Sequence, residues 1–345
     1  MNDQLTEVYA SIDALIDYAL AHLDLDPRNA DWTRNQIFAL FRLDSYPGPK
    51  TTTSAASVSD VVQDIVGSRS QAPYGEKTPD PLLAAFRAAA TTAGLFKPEE
   101  GPAYADTIMG ILSANPADLD DRFLLVEHRD GGMAAMQWFY DYCVANNYVK
   151  RAQLDRNPRF DSHGLTVTIN LAKPEFKNMK KAAAGNAVAG GYPKCTICHE
   201  NEGFAGRDKR TLRTLPVTLG GESWFWQFSP YGYFDQHGIC VNTDHTPMHV
   251  DRDTFGHLLD FVDRFPGYFL GCNAALPRIG GSVLAHDHYQ GGGELLPMHK
   301  AATWAAFTLA DYPDAVVEIL DWPGTAVRVV SKNRESIIDL SDIIR

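Results

Sequence analysis

From Val8 onward the apolar residues Ile12, Leu15, Ile16, Ala19 and Leu23 recur at intervals of three and four. That spacing gathers them into one stripe of an amphipathic helix, which Asp26-Pro27 ends. Similar patterns predict a short apolar helix over 37–43 and further helices over 58–67, 81–93, 104–113 and 133–146. Residues 44–57, with Tyr46-Pro47-Gly48-Pro49 and Thr51-Thr52-Thr53-Ser54, read as a loop or linker. Near residue 150 the pattern changes. Thr166-Val167-Thr168-Ile169 is β-branched, 180–191 is a loop of small residues, and 212–219, 222–229 and 238–243 read as strands. Asp253 can cap a helix with Phe255, Leu258, Leu259 and Val262 on its apolar face, ending near Pro266. Strands follow at 268–273 and 282–289. The fold class expected is α+β: a mostly helical region over 1–149, then a region over 150–345 built on an antiparallel sheet with flanking helices.

Ile337, Leu340 and Ile344 keep helical spacing over 335–345, and the sequence stops there with no glycine, proline or other stop signal. A chain that ends inside an amphipathic helix reads as cut, so the second region is expected to be incomplete at its C-terminus.

Composition narrows the partners. The 345 residues are 45% hydrophobic and 21% charged, as in an ordinary globular protein, and 31 basic against 43 acidic residues give a net charge of −12. That balance argues against a nucleic-acid backbone as main partner but leaves room for a phosphorylated metabolite held by a few local donors. The first residues, Met1-Asn2-Asp3-Gln4-Leu5-Thr6-Glu7, have neither a basic stretch nor an apolar core, and no apolar run reaches membrane-spanning length. A cytoplasmic protein without membrane partners is expected. Five cysteines, an odd number, in so long a chain do not read as a disulfide framework.

The chemistry concentrates in Gly280-Gly281-Ser282-Val283-Leu284-Ala285-His286-Asp287-His288-Tyr289-Gln290-Gly291-Gly292. If this run is extended, His286, His288 and Gln290 share one face and Asp287 and Tyr289 the other. Two imidazoles and a carboxamide side by side suit attack on phosphorus: one ring as nucleophile, the amide as donor to phosphoryl oxygens, the second ring for a metal or a support role. Read alone, a His pair more often marks a strand in which neither ring reacts. Cys195-Thr196-Ile197-Cys198 adds two thiols on a tight loop that can hold one Zn²⁺ given two more ligands. With His199 it also matches a c-type haem attachment signature, which the absence of a signal peptide in the sequence disfavours. The histidines available are His199, His237, His245, His249, His257, His286, His288 and His299. His257 falls on the polar side of its helix and reads as a solvated surface residue. His245 follows a strand directly, and His286 opens the three-membered face. The set Cys195, Cys198, His245 and His286 would give closed S₂N₂ coordination of a structural zinc, leaving His288 metal-free beside it.

The stretch from Gly280 to Gly292, preceded by Gly271-Cys272-Asn273, resembles the active-site segment of the galactose-1-phosphate uridylyltransferases of the second sequence class, within the histidine-triad superfamily. Tyr192-Pro193-Lys194-Cys195-Thr196-Ile197-Cys198, Gln227-Phe228-Ser229-Pro230-Tyr231 and Asp244-His245-Thr246-Pro247-Met248 resemble other blocks of that class in the same order. The resemblance implies a histidine-triad-like sheet and, residue by residue, the roles of the site. His286 falls on a zinc-ligand histidine, His288 on the nucleophile and Gln290 on the glutamine that holds the phosphoryl group. Cys195, Cys198 and His245 fall on the other zinc ligands, Asn273 on an asparagine near the nucleotide, and Ser282, with Gly281 beside it, on the substrate-binding stretch near the phosphates. The implied activity moves UMP between UDP-glucose and galactose 1-phosphate through a uridylyl-histidine, in a zinc-containing homodimer. Asp287 departs from the better-studied first class, which has proline between its histidines. Two other functions share these residues: a histidine-triad nucleotidyltransferase or hydrolase acting on another nucleotide, and a non-catalytic, zinc-stabilised binding module.

Overall fold

The computed structural model describes residues 3–48, 78–171, 191–276 and 283–345. The helix expected over 58–67, most of the loops at 44–57 and 180–191, and Gly281 and Ser282 lie outside them. The chain forms two units. One takes Met1–Arg129, Ala134–Arg156 and Glu200–Arg213; the other takes Asp130–Met133, Asn157–His199 and Thr214–Arg345.

The first unit is helical: α1 (Asp3–His22), α2 (Ala30–Phe41), α3 (Asp80–Thr92), α4 (Gly101–Leu112), α5 (Pro116–Asp130) and α6 (Gly132–Ala145), the last two over most of their length. All six residues of the stripe that begins at Val8 are buried, and α1 packs chiefly on α3. Burying such side chains contributes roughly 1.5–3 kcal/mol each for the larger ones. Helix α5 has no counterpart in the sequence reading. Its buried residues are Leu119, Phe123 and Val126, but Leu124 and Leu125 beside them are exposed, so a four-residue apolar run hides the period.

In the second unit, β1 (Arg159–Ser162) and β2 (Leu165–Thr168) form an exposed antiparallel hairpin. The main sheet takes β3 (Leu215–Leu219), β4 (Glu222–Phe228), β5 (Gly238–Asn242), β6 (Phe269–Gly271) and β7 (His288–Gly292) in the order β3-β4-β5-β7-β6, antiparallel throughout. Helix α7 (Arg252–Arg264) covers one face, with Phe261 packed 5.1 Å from the Trp226 ring and Tyr289 stacked on Trp224 at 4.7 Å. Because side chains alternate along a strand, His288 and Gln290 project from the opposite face.

Four expectations need correction here. The α7 cap is Asp251 rather than Asp253: its carboxylate accepts the Thr254 N–H at 3.1 Å. The buried face is Thr254, His257 and Phe261, while Phe255, Leu258, Leu259 and Val262 stay half-buried, since the helix turns toward the sheet the residues that meet Trp224, Trp226 and Tyr289. His257 is therefore not a solvated surface residue. It is buried, with Nδ1 3.1 Å from the Tyr289 hydroxyl. Strand β7 begins at His288 rather than 282, so His286 precedes the strand.

Gly220 lies under His257 with φ of +57°, and a Cβ there would stand 2.3 Å from the His257 Nε2. Gly220→Ala should therefore destabilise the second unit by roughly 2–4 kcal/mol, through both the left-handed backbone and displacement of His257. A denaturant midpoint unchanged from that of the unsubstituted chain would show that this packing is not needed.

The sequence reading assigned nothing to 303–331, where β8 (Thr303–Leu309), β9 (Tyr312–Leu320) and β10 (Val327–Ser331) form an antiparallel sheet ordered β10-β9-β8. Helix α8 (Arg334–Ile344), expected from the C-terminal spacing, covers it through Leu340 on Ala315 and Val317. Helices α7 and α8 are joined by ion pairs of Arg252 with Glu335 at 2.6 Å and Arg334 with Asp263 at 2.6 Å. The architecture is α+β. Among the described residues no helix is long and apolar enough to cross a membrane.

Candidate active site and metal centre

Two thiols, Cys195 and Cys198, stand 3.3 Å apart on the loop between residue 191 and β3, and the Cys195 N–H donates to the Cys198 sulfur at 3.2 Å. His286 Nδ1 lies 3.3 Å from Cys195 Sγ and 3.6 Å from Cys198 Sγ, and His245 Nδ1 lies 3.2 Å from Cys198 Sγ. All four donor atoms fall within 4.8 Å of one another; Cys195, Cys198 and His286 are buried and His245 is half-buried. A tetrahedral zinc site with ordinary Zn–S and Zn–N bonds has edges of roughly 3.3–3.8 Å, so the donor set and its spacing fit such an ion. The far nitrogen of His286, Nε2, donates to the Asn242 carbonyl at 2.7 Å. That bond puts the proton on Nε2 and leaves the Nδ1 lone pair for the metal. Of the other candidate histidines, His199 stands edge-on to Phe225, His299 packs on Phe269, and His249 lies 3.6 Å from both Asp251 and Asp287.

His288 opens β7, paired with Val241 of β5, and is buried. Its Nδ1 lies 2.8 Å from the carbonyl oxygen of His286. Nδ1–H donates there, which leaves Nε2 with the lone pair. Burial holds the imidazole below its ordinary pKa, with the His286 carbonyl bond opposing in part, so the ring is neutral near pH 7. Gln290, half-buried on the same face, has Oε1 3.3 Å from Nε2 of His237. Asn273 is half-buried two residues beyond β6.

Asp287 explains how this chain manages without proline between its histidines. Its N–H donates to the Thr246 carbonyl at 2.7 Å, and its own carbonyl accepts the Asn242 N–H at 3.0 Å. The first bond, impossible for proline, ties the histidine pair to the segment that carries His245. The carboxyl group itself is fully buried, and that burial pushes its pKa up to about 6, offset in part by His249 and by the backbone N–H of His288.

With this geometry in view, comparison with known proteins decides the family. Residues 67–247 match the family described as galactose-1-phosphate uridyl transferase, N-terminal domain. The chain belongs to that family. It is 99% identical over 345 residues to a galactose-1-phosphate uridylyltransferase of Bifidobacterium longum subsp. longum, covering all of this chain and 67% of that protein. Relatives of the same name from Streptococcus mutans, 38% identical over 255 residues, and Caldanaerobacter subterraneus, 37% identical over 279, align with 72% and 77% of this chain. The aligned parts make up 52% and 53% of those proteins, so the chain spans about half to two thirds of the length of the curated relatives it matches. No solved structure gives a significant match. Within the family match lie Cys195, Cys198 and His245; His286, His288 and Gln290 lie beyond residue 247, in the part that the Bifidobacterium longum alignment covers.

Sequence reasoning missed His237 as a partner of Gln290 and His257 as a partner of Tyr289. The signal for the first was modest: a histidine directly before strand β5, which pairs with β7.

Proposed function

We propose that this chain carries a uridylyl-transfer centre in which His288 is the nucleophile, Gln290 a donor to the phosphoryl oxygens, and Asn273, Gly281 and Ser282 contacts of the nucleotide and phosphates. The substrates are UDP-glucose or UDP-galactose and a hexose 1-phosphate, and the enzyme is a homodimer by family resemblance. The observation that carries this reading is the Nδ1 bond of His288 to the His286 carbonyl, which fixes the tautomer with a lone pair on Nε2. Nε2 attacks the α-phosphorus of UDP-glucose and a P–N bond forms. The bond from that phosphorus to the bridging oxygen breaks, and glucose 1-phosphate leaves with the electron pair. A phosphate oxygen of galactose 1-phosphate then attacks the same phosphorus, the P–N bond breaks, and neutral His288 is restored. Both the leaving and the entering group are phosphate monoesters, so no side chain has to move a proton. Zinc fits the site of Cys195, Cys198, His245 and His286, where it would cross-link the loop to the segment before β7 and so hold His288 in place.

Incubation with UDP-glucose, with and without galactose 1-phosphate, tests the reaction class. UDP-galactose and glucose 1-phosphate should appear together only when the acceptor is present. Steady release of UMP without an acceptor would point instead to a hydrolase.

A further inference from the structure

We infer that His237 is the positioning residue that fixes which end of the Gln290 amide faces the substrate. His237 is buried on the segment that leads into β5, and its ring packs against Phe234 with centroids 4.4 Å apart. Its Nδ1 lies 3.4 Å from the Tyr233 backbone nitrogen and its Nε2 lies 3.3 Å from Gln290 Oε1. A backbone N–H can only donate, so Nδ1 accepts and the ring proton sits on Nε2. Nε2–H can only donate, so the amide must present its oxygen to His237. The two donors of the Gln290 nitrogen, which has no partner among the described residues, are then left for an acceptor on the sheet face that His288 shares. A carboxamide is nearly symmetric in shape, and with its orientation reversed it would turn an oxygen toward a phosphoryl group and repel it.

The chain of bonds thus runs from the Tyr233 N–H through the His237 ring to the amide of Gln290. Gly232 belongs to the same arrangement, since a Cβ there would stand 2.8 Å from the His237 Cβ. The inference rests on the uridylyl-transfer reading for its consequence, while the orientation of Gln290 stands on geometry alone.

The test pairs kinetics with a spectroscopic readout on the full chain. His237→Leu should slow formation of the uridylyl adduct on the order of 10–100-fold, less than loss of Gln290 itself at ~10²–10³. In a Gln290→Ala background the same substitution should cost almost nothing more, because His237 acts only through that amide. His237→Gln, which can keep a donor where Nε2 stood, should recover much of the rate. Equal slowing in both backgrounds, or none in either, overturns the inference. Nitrogen-15 spectra of the unsubstituted chain should show His237 as the neutral Nε2–H tautomer, with a proton signal that shifts in Gln290→Ala. If no adduct forms in the unsubstituted chain, the transfer reading fails by itself, and the spectra still decide on His237: an Nδ1–H tautomer overturns the assignment and Nε2–H upholds it.

Discussion

His288→Gly should abolish uridylyl transfer, by roughly 10⁴-fold or more, while the protein still folds and keeps its metal. The substitution removes the ring whose Nε2 is left with a lone pair by the His286 carbonyl bond, and none of the four metal donors changes. A space the size of an imidazole remains. A preformed uridylyl-imidazole should therefore restore the second half-reaction, transfer to galactose 1-phosphate, because it supplies the missing intermediate from solution. Substantial turnover of UDP-glucose by the glycine variant would show that another group attacks phosphorus.

Cys195→Ser should lower metal content and stability together, by several kcal/mol, on the order of 3–5, because binding at such a site is coupled to folding. The thiol is buried and contacts both Cys198 and His286, so its loss opens the cluster. His286→Gly should behave in the same way, losing metal and stability first and activity as a consequence, in contrast to His288→Gly. Metal analysis alongside thermal melts, with and without a chelator, checks this. Metal-free protein that melts at the temperature of the loaded protein would remove the structural role, and a zinc edge with two sulfur and two nitrogen neighbours in X-ray absorption would establish the ion and its ligands.

The metal cluster and the first helix are legible in the sequence, for reasons that differ from residue to residue. The thiol pair at Cys195 and Cys198 restricts its own partners, because a tight loop with two sulfurs demands two further donors from strand ends; His245 and His286 lie there. The stripe from Val8 to Leu23 was legible because α1 is buried on one side only. The contact of His237 with Gln290 was not, since 53 positions separate them and only the pairing of β5 with β7 brings them together. In helix α7 the half-buried apolar residues outnumber those that meet the sheet, so the sequence pattern points away from the buried face of Thr254, His257 and Phe261. Strand β8 gave no signal because all seven of its residues are exposed, so no alternation of burial marks the sequence.

The roles of His286 and His288 both turn on which nitrogen attacks phosphorus. Peptide mapping of the adduct trapped after incubation with UDP-glucose addresses it most directly. The uridylyl group should be found on the peptide that holds Ala285-His286-Asp287-His288-Tyr289-Gln290, with fragmentation placing it on His288. A uridylyl group on His286 would exchange the roles of the two histidines and contradict the assignment of His286 to the metal.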